Sequence, residues 1–145
     1  MIDHYEITKS IENYTYEFES IGKQGKIRKI VKFIRVGSLE YFHFGFGDLD
    51  EITGNVDDTI ISNNGDTALI LATLGEIIAN FLNEFPNAWV YAKGNTNTRN
   101  RLYRIILSQN LSIVQEKYQL LGFLKGFWKP YKLNQPYTAF LIKIK

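Results

Sequence analysis

The stretch from Ala88 to Leu107 constrains the fold more than any other part of the chain. It opens as a short apolar run through Trp89, Val90 and Tyr91, and breaks at Gly94. It then passes through Asn95, Thr96, Asn97 and Thr98 before resuming at helical spacing with Leu102 and Ile106. This is the pattern of a strand that feeds a helix through a polar turn. In that geometry the first backbone N–H groups of the helix have no partner within the helix, and they face whatever lies beyond the end of the strand.

The segments around this unit complete an α+β fold. Tyr14, Tyr16 and Phe18 alternate with Thr15 and Glu17 as in a half-covered strand. A second run spans Lys26 to Val36, and Tyr41 to Phe46 is a third, aromatic-rich strand. Short glycine-containing connections between them imply an antiparallel meander, with Lys29, Lys32 and Arg35 read as its solvated face. Asp48 to Thr59 is an acidic loop, followed by a short strand at Thr59-Ile60-Ile61. Asn64-Gly65-Asp66 then introduces a helix from about Thr67 to Glu84, with Asp66 as its N-cap and Phe85-Pro86 as its stop. After the second helix, Ile113 to Leu121 reads as a strand, Gly122 to Trp128 continues the sheet, and Tyr137 to Ile144 forms the last strand. The order β-β-β-(β)-α-β-α-β-β predicts a single domain over residues 1–145. Its single mixed, largely antiparallel sheet is packed by two main helices.

Composition narrows the function classes. With 145 residues and 45% hydrophobic content, the chain can bury a core without staples. The absence of cysteine removes disulfides, thiolate catalysis and most structural zinc sites, and it suits a reducing cytoplasm. The first residues show no secretory pattern. The apolar stretch from Ala68 to Leu82 is interrupted by Glu76 and Asn80 and is too short for a bilayer, so no membrane role is expected. The net charge of +2 conceals blocks: basic from Lys23 to Arg35, acidic from Glu40 to Asp66, basic again from Lys93 to Lys132. Mutual neutralisation across neighbouring strands is the expected outcome.

The candidate chemistry gathers at the second helix. On a helical wheel Arg99 shares an arc of about 100° with Leu102, Tyr103 and Ile106. A cation on the buried face and in the first turn is disfavoured by both burial and the helix dipole. One compensation is a buried carboxylate such as Asp57, Asp58 or Asp66. The other is a bound anion, phosphate or nucleotide-like, held by Lys93, Gly94, Asn95, Thr96, Thr98 and Arg99, with Tyr103 lining the site. Asn64, Gly65 and Asp66 are read as structural or pocket-lining. His4 and His43 are far apart in sequence and build neither a zinc site nor a triad, and no metal or cofactor is indicated. Nucleic acid is a less favoured partner. It would use Arg99, Arg101 and Arg104 on the helix with Lys93 before it, extended by the Lys26–Arg35 strand, and the aromatics Tyr41, Phe42, Phe44, Trp89, Tyr91 and Trp128 for stacking.

Two resemblances extend this reading. Asn63-Asn64-Gly65-Asp66, Gly94-x-Thr96-x-Thr98-Arg99-x-Arg101-Leu102-Tyr103-Arg104, Tyr16-x-Phe18-x-Ser20-x-Gly22 and Tyr137-x-Ala139-Phe140 together resemble a family of small uncharacterised bacterial proteins, mostly from Bacteroidetes, along most of the chain. That family brings no established activity. More distantly, the order strand, helix, strand, helix, two strands with Leu102-Tyr103 resembles the second half of the GCN5-related N-acetyltransferase fold. That resemblance implies an acyltransferase in which Tyr103 is the acid toward coenzyme A and the Gly65 loop faces the cofactor. Ser62 and Thr67 stand where that family has Gln/Arg and Gly/Ala. The expected function is therefore a small binding or accessory domain with an anion site at the start of the second helix. The alternatives are an acyltransferase-like enzyme and a nucleic-acid-binding or protein-interaction module.

Overall fold

Alternation of large apolar and polar residues builds most of the sheet. The computed structural model describes residues 4–10, 14–50, 52–57, 64–94, 96–109 and 111–145. Its strands are Thr8–Ser10 (β1), Thr15–Gly22 (β2), Gly25–Arg35 (β3), Tyr41–Leu49 (β4), Val56–Asp57 (β5), Trp89–Ala92 (β6), Tyr118–Leu124 (β7), Phe127–Pro130 (β8) and Ala139–Ile144 (β9). The helices are Thr67–Glu84 (α1), Asn97–Ser108 (α2) and Leu111–Lys117 (α3). The strands form one mixed sheet in the order β1-β2-β3-β4-β6-β9-β7-β8, with β5 paired to β4. Among the described pairs only β4 and β6 run parallel; α1 makes the crossover between them. The last strand, β9, inserts between β6 and β7.

All the core-facing side chains project to one side of the sheet. Tyr16 and Phe18 from β2, Val31 and Phe33 from β3, and Phe42, Phe44 and Phe46 from β4 meet the apolar stripe of α1. That stripe, Ile70, Leu74, Ile77 and Phe81, recurs at the i, i+3, i+4 spacing of a helix face. Among the described residues, the other side of the sheet carries no helix.

Three expectations need correction, and one falls outside what the structure describes. Residues 58–63 lie outside the described residues, and with them the proposed strand at Thr59 to Ile61. Leu111 to Lys117 is helical and not extended: Leu111 and Val114, at i and i+3, pack against the core while Ile113 is 64% exposed. Lys29 leaves the solvated face of β3: it is buried on the helix side and ion-paired with Asp48 of β4, whereas Lys32 is exposed. A separation of three places two strand residues on opposite faces. The Lys29–Asp48 pair is also one case of the neutralisation expected between the basic and acidic blocks. Finally, Asp66 holds the N-cap position of α1, but its carboxylate makes no capping bond. Its Oδ2 accepts from Tyr5 and from Ser20 Oγ, the latter at 2.5 Å, so the side chain is turned toward the sheet.

The buried hydroxyl of Tyr16 makes stability sensitive to alkali. Burial, with the charge of Glu84 a smaller contribution, pushes its pKa up from 10.0 to about 12. A folded-state pKa above the unfolded value gives stability that is complete below pH 10.0 and lost as the pH rises towards 12. Urea denaturation at stepped pH should show this loss, at most about 3 kcal/mol from this residue. Tyr16→Phe should flatten the profile; an unchanged slope would refute the assignment.

Candidate functional site

The strand–turn–helix unit is held by its own polar residues. Thr96 caps α2, its Oγ1 accepting from the Arg99 N–H at 3.1 Å, and its carbonyl accepts from the Asn100 N–H. The Asn100 side chain reaches back to accept from the Gly94 N–H at 2.7 Å. Gly94 lies so close to the helix that a Cβ there would sit 2.6 Å from Arg99 Cβ and 2.8 Å from the Asn100 nitrogen. Only a residue without a side chain lets the chain turn this tightly onto α2.

Arg99 is 2% exposed. Its guanidinium carbon lies 4.9 Å from the centroid of the Phe46 ring, and Lys29 Nζ lies 5.9 Å from the same ring. Two cations therefore flank one aromatic ring at the positive end of α2, with Asp48 bonded to Lys29. Around this buried pair the surface offers Lys93 and Thr98, both exposed, and half-buried Thr96, whose O–H hydrogen is left to donate. Asn95 lies outside the described residues.

Tyr103 sits one turn further along, 5% exposed, its ring edge-on to Phe44 and Phe140. It lines a cavity of about 20 Å³ together with Ile78, Val90, Leu107 and Ile142. The lining is hydrophobic side chains, and the volume is that of about one water, so the space suits dry packing more than a ligand. Arg101 is exposed, while Arg104 Nη1 donates to the Tyr137 carbonyl at 2.9 Å. The cations expected to contact nucleic acid from this helix and from Lys93 before it thus point to different surroundings.

The loop before α1 is bound to the β2–β3 hairpin. Asn64 is 2% exposed: its Nδ2 donates to Ser20 Oγ and the Gly25 carbonyl, both at 3.0 Å, and its Oδ1 accepts from the Gln24 N–H at 2.6 Å. Its carbonyl accepts from the Lys23 N–H at 3.2 Å. Gly65 adopts a φ of 79°, a conformation that glycine takes without strain. The hydroxyl of Tyr5 is held protonated above its usual range by burial and by its bond to Asp66. These partners lie about forty to sixty residues apart along the chain, so no local sequence signal exposes them.

Matching against family models covers residues 1–145 with one family, described as a family of unknown function, DUF6934. The chain belongs to the DUF6934 family. No curated protein and no solved structure matches this DUF6934 member. No helix among its described residues is long and apolar enough to cross a membrane.

Proposed function

We propose that this DUF6934 protein is a small binding domain that takes a phosphate-bearing anion at the start of α2. The observation that supports this reading is the buried guanidinium of Arg99, which lies over the Phe46 ring in the first turn of that helix. The Arg99 guanidinium and the helix end put positive charge there, while Lys29 is offset by its ion pair with Asp48. Lys93, Thr96 and Thr98 would supply the outer contacts, and Gly94 lets the chain turn close against the helix. Tyr103, in this reading, packs its ring behind the site.

A second reading, an acyltransferase-like protein, has one specific observation in its favour. The parallel pair β4–β6 ends at Phe44 and Ala92, after which β6 turns off toward α2 while β4 runs on to Leu49. Such a parting between parallel strands, with the final strand inserted beside β6, is similar to the acetyltransferase topology. Two features weigh against it. The same edge of β4 is occupied beyond the parting by β5, through Asp48 and Leu49. The polar groups of the Gly65 loop, which would face a cofactor, are spent on the β2–β3 hairpin.

Thermal melting with inorganic phosphate, ATP and coenzyme A at constant ionic strength tests both readings. A ligand at a hundred times its Kd stabilises by about 2.7 kcal/mol. Phosphate or ATP should raise the Tm, and Lys93→Ala/Thr98→Val should lose that rise while keeping the unliganded Tm, because both positions are exposed. No rise with phosphate or ATP overturns the anion site. A saturable rise with coenzyme A alone transfers the assignment to the second reading.

A further inference from the structure

The helix-free face of the sheet presents a row of aromatic rings. In β4 the phenylalanines Phe42, Phe44 and Phe46 point into the core, so Tyr41 and His43 point out. His43 pairs with Tyr91 of β6, their ring centroids 4.7 Å apart at 31°, and Tyr41 lies 6.1 Å from Tyr91. Trp128, on the edge strand β8, closes on Tyr91 at 6.0 Å and on Phe123 at 5.2 Å. His43 is exposed and Trp128 is 39% exposed; Tyr41, Tyr91 and Phe123 are half-buried. Beside aliphatic Ile34, Leu121 and Leu141, the rings of Tyr41, His43, Tyr91 and Trp128 have polar edges, whereas phenylalanines dominate the covered side.

The acids of this face, Glu17 and Glu19, lie on β2 beyond Lys32, and the strands that carry the rings bring only basic residues to it. β6, β7, β8 and β9 contain no acidic residue, and the single acid of β4, Asp48, faces the other side and is bonded to Lys29. Lys32 of β3 and Lys143 of β9 lie on the ring-bearing face by strand alternation. Opposite Lys32, β4 has Gly45, where a Cβ would meet nothing nearer than the Lys32 carbonyl at 3.8 Å. The face thus combines rings, a shallow place without a side chain, and flanking cations. That combination complements a flexible polyanion carrying planar groups.

We propose that this face binds single-stranded nucleic acid, unpaired bases extending the ring row of Tyr41, His43, Tyr91 and Trp128 while Lys32 and Lys143 hold phosphates. The site is separate from the α2 anion site, which lies on the helix-covered side. Duplex is a poor fit, because its bases are already stacked and paired.

Fluorescence anisotropy with labelled single-stranded RNA and DNA of about ten nucleotides, and with the matching duplexes, tests this. Single strands should bind at least about tenfold more tightly than duplex, with a log–log salt slope near −1.4 for two phosphate contacts. Trp128→Ala and Tyr91→Leu should each weaken binding by about five- to a hundredfold. Gly45→Val fills the shallow place without removing a core group and should weaken binding too; it keeps the test valid if a ring variant fails to fold. Lys143→Gln should reduce the slope by about 0.7, whereas Arg101→Gln, on α2, should leave affinity unchanged. No binding at low salt, equal binding of duplex, or indifference to Gly45→Val and the ring variants overturns the proposal. So does a wild-type dimer that Trp128→Ala dissociates, since the face is then an interface between copies of this chain.

Discussion

Gly22→Ala is expected to cost on the order of 3 kcal/mol, although it adds one methyl group. A Cβ at Gly22 would fall 1.8 Å from the Asn64 carbonyl oxygen and 2.9 Å from both its carbonyl carbon and its Cγ. Where the obstacle is the end of a flexible side chain, a small shift relieves it. Here it is backbone, and Asn64 is fixed by bonds to Lys23, Gln24, Ser20 and Gly25. The methyl can be housed only by parting the β2–β3 hairpin from the entry to α1, which strands the buried amide of Asn64 and the carboxylate of Asp66. For a domain of this size the Tm should drop by roughly 6–12 °C. A variant within about 0.5 kcal/mol of the parent would show that the hairpin and the α1 entry are not in contact.

Phe81→Ala should be more damaging still, at about 3–5 kcal/mol. Phe81 is fully buried and stacks on Phe33 with centroids 3.9 Å apart at 7°. It also meets Phe42 edge-on at 5.0 Å and Phe85 at 4.9 Å. This side chain joins α1 to both β3 and β4, so its loss leaves a cavity that rigid neighbouring rings cannot close. Against a total stability of about 5–15 kcal/mol, the variant sits near the unfolding threshold. Guanidinium denaturation measures the loss, and Phe81→Leu, which retains most of the volume, should cost about 1.5 kcal/mol or less. Similar costs for the two variants would refute the role given to the ring stack.

Long periodic elements are legible in the chain because their signal repeats. The bounds Thr67 to Glu84 for α1 follow from an apolar stripe four turns long and a proline stop, and they match the structure. The alternation of β2 and β4 reads equally well, and the wheel position of Arg99 announces a buried guanidinium, which the structure has. α3 was not legible as a helix. Its seven residues make barely two turns, and Ile113-Val114 looks extended when read alone. The rings of β4 were legible as a group but not by side. Alternation divides Phe42 and Phe44 from Tyr41 and His43, yet only the position of α1 shows which set is covered.

The residues by themselves determined the class of fold, the strand–turn–helix at 88–107 and the burial of Arg99, since each depends on neighbours within about one turn or one strand. Tertiary structure alone decided what those groups face. It set Lys29 beside Phe46, turned Asp66 from capping a helix to receiving Tyr5 and Ser20, slid β9 between β6 and β7, and left one side of the sheet without a helix. Contacts between residues dozens of positions apart leave no periodic trace in a single chain. They arise when apolar faces of several elements compete for the same core, and polar groups then bond to whatever that packing brings within reach.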